Sequence, residues 1–320
     1  MAVYTEISNQ DLNEFLDQYS IGHSDEFIGI QEGIENSNYL IKIKDTKYIL
    51  TIFEKRTSES DLPFFFQLIN HLKEQEIKCP EVVLNNKNKY YSFLKDKPAA
   101  ITTFLEGRSI SRIEPIHCGE LGNALALFHN ASNLLDIKRE NKLGFKNLKT
   151  IISSLHNYSD KINKDQLLLI DNEYQFLIKN IFFDLPKGII HADMFPDNVF
   201  FHNNSLSGII DFYFSCNDFY AYEIAICLNA WCFEINSNQF NVSKAKALLS
   251  SYNKIRRLSE AEVESLPLLA RAAALRFLLT RLVDYYQETE SLFLTKKDPN
   301  EYFEKLRFHQ TVKKSTEYGL

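Results

Sequence analysis

A chain of 320 residues has room for one large domain or two modest ones. Its 36 basic and 42 acidic side chains leave a net charge of −6, a field that would trap neither nucleic acid nor an anionic membrane. Hydrophobic residues make up 45% of it, enough for a packed core and too many for a disordered chain.

In chain order, "MAVYTEISNQDLNEF" lacks the basic and apolar regions of a signal peptide. Phe27 to Ile34, Asn38 to Ile43 and Lys47 to Phe53 read as strands, the last two joined by the short turn "KDT". A helix is expected from about Asp61. Pro63 suits its first turn, and Phe65, Leu68, Ile69 and Leu72 fall on one face. Strands near Tyr90 to Leu94 and Ala99 to Phe104 complete a small antiparallel sheet. From Glu106 the pattern turns helical: Leu121, Ala124, Leu125 and Phe128 form a stripe, and further helices are expected at about 164–182, 219–234, 243–253, 259–288 and 299–317. The expected class is α+β, with a β-rich lobe over 1–105 and a larger helical lobe over 106–320.

The longest apolar runs, "AYEIAICLNAWCF" and "LLARAAALRFLLTRLV", are broken by Glu223 and Asn229 or by Arg271, Arg276 and Arg281. Neither reads as a membrane span, which needs about 20 apolar residues. The five cysteines are odd in number and form no CxxC pair, which fits reduced thiols in a cytoplasmic protein rather than disulfides or a zinc site.

One polar knot interrupts the helical half. "GIIHADMFPDNVFF" places His191, Asp193 and Asn198 between apolar runs, and Asp211 follows thirteen residues later in "SGIIDFYF". A hairpin returning from Asn198 would bring Asp211 back beside the knot. Oxygen-bearing groups of this kind suit Mg²⁺, which takes few protein ligands and leaves places for phosphate oxygens. Asp193 would be free to accept a proton from an attacking hydroxyl, and phosphoryl transfer needs those parts.

The combination HxDxxxxN with a downstream Asp resembles the catalytic loop of the aminoglycoside phosphotransferase and choline kinase group, relatives of the protein kinases. "EGIENSNYL", "YILTIFEKR", "IIHADMFPDNVFF", "IIDFYFSCND" and "AICLNAWCF" together resemble the bacterial homoserine kinases of that fold, over essentially the whole chain. The resemblance implies a protein-kinase-like bilobal fold, ATP and Mg²⁺ as cofactors, and L-homoserine as substrate in threonine biosynthesis. It implies Asp193 as catalytic base, Asn198 and Asp211 as metal ligands, and His191 and Glu223 as supports of the catalytic loop. Gly33, Asn36 and Ser37 fall in the phosphate-covering loop, and Phe104 and Glu106 in the connector that meets adenine. The strand position that normally presents Lys or Arg to the phosphates holds Thr51, with Lys55 just beyond as a substitute.

An amino-acid substrate needs a cation for its carboxylate and an acid for its ammonium group. Arg276 and Arg281, in apolar surroundings, are the expected carboxylate readers, and Asp218 is a candidate for the ammonium. The rival readings are a kinase of another small alcohol (choline, methylthioribose or an aminoglycoside) or a nucleotide-binding pseudokinase. Retention of Asp193, Asn198 and Asp211 speaks against the pseudokinase.

Overall fold

The structure, a computed structural model, describes residues 5–30, 36–54, 57–181, 184–235, 237–286 and 297–320. Its described residues form two compact units. One takes in those up to Gly107 together with Ser207–Tyr213; the other takes in Arg108–Leu206 and the described residues from Phe214 onward.

The first unit begins with α1 (Asn9–Leu16). Ser8 starts it: its hydroxyl accepts the Asp11 N–H while the Asp11 carboxylate accepts the Ser8 N–H, so two otherwise unsatisfied donors are paired reciprocally. There follow β1 (Glu26–Ile30), β2 (Ser37–Ile43), β3 (Thr46–Ile52), α2 (Leu62–Glu74), β4 (Val82–Val83), β5 (Ser92–Leu94) and β6 (Lys97–Thr103). The sheet runs β1-β2-β3-β6-β4, with β5 also paired to β6; every pairing is antiparallel. Alternation decides the faces. Tyr39, Ile41 and Ile43 of β2 turn inward with Leu50 and Ile52 of β3, and Leu12, Phe15 and Leu16 of α1 close that core. Tyr213, from the downstream segment, packs its ring edge-on against Phe53 and Phe65.

The second unit contains α3 (Pro115–Ser132), α4 (Leu148–Leu155), α5 (Lys164–Asn180), β7 (Lys187–Ile190), β8 (Val199–His202), β9 (Ser205–Ile209, ending in the first unit), β10 (Cys216–Phe219), α6 (Tyr220–Trp231), α7 (Val242–Ile255), α8 (Glu260–Tyr286) and α9 (Asn300–Thr311). β8 and β9 form a hairpin, and β10 pairs antiparallel with β7. A Cβ on Gly122 of α3 would meet the Leu248 carbonyl of α7 at 2.2 Å, so only glycine lets these two helices approach so closely. In α8, Pro267 has no N–H to give the carbonyl four residues back. The Ser315 hydroxyl donates to that Val263 carbonyl instead. No described helix is long and apolar enough to cross a membrane.

His309 on α9 is fully buried, with Nδ1 2.7 Å from the Tyr318 hydroxyl and no partner for Nε2 among the described residues. Burial, aided by the charges of Lys305 and Arg271, pushes its pKa down to about 3. The unfolded chain, with an ordinary histidine near pH 6.5, therefore binds a proton that the folded chain refuses. Stability is present above pH 6.5 and drains as pH falls toward 3, by about 1.4 kcal/mol per pH unit. Between pH 6.5 and 5, urea midpoints of the wild type should fall more steeply than those of His309→Asn, a gap of about 2 kcal/mol. Parallel curves would contradict this.

Candidate active site

β7 delivers the chain into the polar knot at His191 and β10, paired along it, leads directly into α6. The first turn of α6 thereby lies under the loop. Its Glu223, with no exposed surface, accepts the His191 N–H through Oε2 at 2.8 Å and the Ala192 N–H through Oε1 at 2.6 Å. From α3, His129 Nε2 reaches the same Oε2 at 3.0 Å, and His129 Nδ1 lies 2.7 Å from the Tyr252 hydroxyl of α7. A carboxylate only accepts, so Nε2 of His129 carries the proton and Nδ1 accepts from Tyr252. Burial alone would push the Glu223 carboxyl up, but the hydrogen bonds from His129 and from the His191 N–H hold it below its ordinary value. Burial keeps His129 neutral, against the pull of Glu223.

Above this base the loop bends through Ala192, whose φ of 64° is left-handed. Asp193 follows. Asn198 Nδ2 donates both to the Asp193 carbonyl at 2.8 Å and to Asp193 Oδ2 at 3.0 Å. His191 Nδ1 accepts the Asp193 N–H at 3.3 Å, and the Trp231 indole donates to the Met194 carbonyl at 2.8 Å. Burial raises the Asp193 carboxyl above its ordinary range; Arg276, His191 and Lys297 oppose that and Asp197 adds to it. Because both neighbours of Asn198 Nδ2 are acceptors, the amide orientation is fixed and its Oδ1 remains as an oxygen donor suited to a hard cation. Asp211 stands in the first unit, half-buried at a left-handed φ of 61°. Among the described residues no three His, Cys, Asp or Glu side chains gather as a metal cluster.

The profile of the phosphotransferase enzyme family matches residues 26–258. The chain belongs to this family. The homoserine kinase of Parvibaculum lavamentivorans is 47% identical over 320 residues, covering 100% of this chain and 99% of its own length. That of Agrobacterium fabrum is 46% identical with the same coverage. Among solved structures, an amicoumacin kinase superposes with a TM-score of 0.72 at 16% identity, over 95% of this chain and 92% of its own. A microcompartment-associated aminopropanol kinase gives 0.70 at 14% identity, over 93% and 95%. These two share the protein-kinase-like α+β fold.

Other residues expected at a phosphotransferase site are placed differently. Gly33 and Lys55 lie outside the described residues. Ser37 is fully buried: its hydroxyl donates to Glu54 Oε1 at 2.7 Å and accepts the Thr5 N–H at 3.0 Å. Asn36 Oδ1 accepts the Glu54 N–H at 3.2 Å. Both side chains build a hub with Glu54, which Lys97 closes at 2.5 Å. Thr51 is buried, donating to Asn38 Oδ1 at 2.8 Å. In the connector, Phe104 lies under Lys47 Nζ at 5.0 Å and Glu106 is exposed, 4.0 Å from the same lysine.

The two arginines also depart from expectation. Arg281 is engaged by Glu301 Oε2 at 2.5 Å and by the Asp298 carbonyl, which takes up the charge that a substrate carboxylate would need. Arg276 is only 2% exposed and donates through Nη1 to the Ala192 carbonyl at 2.7 Å, so it faces the catalytic loop rather than an open pocket. Asp218 is half-buried; Asn141 Nδ2 donates to one carboxylate oxygen at 2.6 Å and the Phe219 N–H to the other at 2.8 Å. Burial raises its carboxyl, and Asn141, the Phe219 N–H and Arg276 partly offset this. The strap that carries Asn141 was not foreseen. Arg139 donates through Nη1 to the Ser215 carbonyl at 2.9 Å, and its N–H goes to Asn217 Oδ1 at 2.7 Å. "REN" in a loop gives no periodic signal that could have revealed it.

Proposed function

We propose that this phosphotransferase moves the γ-phosphoryl group of ATP to the side-chain hydroxyl of L-homoserine, a step of threonine biosynthesis in the cytoplasm. The observation that carries the substrate is identity of 46–47% to homoserine kinases over all 320 residues. Asp193 orients the acceptor hydroxyl and takes its proton as the oxygen attacks phosphorus. Asn198 Oδ1 and Asp211 are the residues that would hold Mg²⁺, which when bound would neutralise phosphate charge. Asp218 receives the ammonium group of the substrate. The first unit holds the nucleotide, with the backbone of the Phe104–Glu106 connector as its contact to adenine. Five buried free thiols suit a reducing compartment.

The test is ADP release with ATP and Mg²⁺ against homoserine, serine, choline, methylthioribose and kanamycin. Homoserine should turn over selectively, and excess EDTA should abolish turnover. Faster turnover of any other alcohol would overturn the substrate, and EDTA-resistant turnover would overturn the metal.

A further inference from the structure

We propose that Arg276 is a positioning residue that clamps the peptide preceding Asp193 and does not touch the acceptor. The inference rests on the reading of Asp193 as the catalytic base and adds a determinant from a distant helix.

Ala192 sets the direction in which Asp193 leaves β7, and it does so from a left-handed conformation with φ of 64°. For a residue with a Cβ that conformation is unfavourable, because the Cβ crowds the carbonyl oxygen that follows, so the surroundings must hold it. They hold it from both sides. Glu223 Oε1 accepts the Ala192 N–H at 2.6 Å, and Arg276 Nη1 donates to the Ala192 carbonyl at 2.7 Å. With its N–H and its C=O both tied to buried side chains, Ala192 cannot relax toward a right-handed φ without breaking a charge-assisted hydrogen bond.

The guanidinium is itself built in. It is 2% exposed, lies 4.5 Å from the Phe277 ring, and leaves Nε without a partner among the described residues. A buried cation needs nearby negative charge, and Asp193 and Asp218 both lie within its field. Lysine could supply that charge. It lacks the rigid planar fork that sets Nη1 against the Ala192 carbonyl, so shape as well as charge is required. A carboxylate-reading arginine would present its fork to a pocket; this one is closed over by protein.

The experiment is steady-state kinetics of Arg276→Lys and Arg276→Gln, with Asp193→Asn as reference. A base displaced by about 1 Å can cost on the order of 100-fold in rate. Arg276→Gln should therefore lose about 100-fold in kcat, and Arg276→Lys about 10-fold, with the homoserine KM within about threefold of wild type. If Arg276→Gln does not fold, Arg276→Lys carries the test: it keeps the cation but loses the planar fork that reaches the Ala192 carbonyl, and kcat should drop about 10-fold at unchanged KM. A homoserine KM raised tenfold or more at near-normal kcat in Arg276→Lys would assign Arg276 to the substrate and overturn the clamp. Normal kcat in Arg276→Lys would overturn it as well. An active Asp193→Asn would instead sink the base reading, so the two failures are distinguishable.

Discussion

Asp193→Asn should lose about three orders of magnitude in kcat while its KM for ATP changes little. The substitution keeps the volume of the side chain and an oxygen that can still accept from Asn198 Nδ2, which now bonds Asp193 Oδ2 and the Asp193 carbonyl. The loop should therefore stay in place. What disappears is the site that takes the hydroxyl proton, and a positioned general base contributes about 10²–10⁴ in rate. Stopped assays with saturating ATP and homoserine would measure it. A variant within tenfold of wild type would show that the proton leaves by another route. A large rise in the ATP KM would show that Asp193 serves the nucleotide side of the reaction.

How far this site could be read in advance depended on distance along the chain. His191, Asp193 and Asn198 stand within eight residues, so their spacing is a local pattern of the sequence. The α+β class was legible for the same reason, since strand alternation and helical stripes are local patterns. Short elements escaped. α1 turns only Leu12, Phe15 and Leu16 inward, too few for a periodic stripe, and β10 is the four residues "CNDF", two of them poor strand formers. α4 was missed likewise, its eight residues burying only Leu148, Ile152 and Leu155.

Partners far apart in sequence escaped for another reason. An arginine in an apolar run announces that it needs a partner without naming one. For Arg276 that partner is the carbonyl of Ala192, 84 residues away, so a role toward substrate looked as natural as a role toward the loop. Asn36 and Ser37 illustrate the same gap. Nothing near them in the sequence names Glu54 and Thr5 as the partners of their side chains.

Glu223→Gln should be the most damaging conservative change outside the reacting groups. Glu223 serves three donors: the N–H groups of His191 and Ala192 and Nε2 of His129. A carboxylate satisfies all three because it only accepts. Glutamine keeps one accepting oxygen, so in either orientation its NH₂ faces at least one N–H with no exposed surface to let water intervene. With the oxygen toward His191 and His129, the opposed donor is the Ala192 N–H, the group that holds the left-handed bend under Asp193. The expected cost is about 2–4 kcal/mol of stability, visible as a lower urea midpoint. In the fraction that remains folded, kcat should fall about 10–100-fold, since releasing Ala192 displaces the base. His129→Phe should not reproduce this split: it removes one donor to Glu223 but leaves both loop N–H groups accepted, so it should cost stability with a smaller loss of kcat. Equal kcat losses in the two variants would mean that the network acts through general packing and not through the loop. A Glu223→Gln variant that melts and turns over like wild type would mean that the loop holds its bend without the carboxylate.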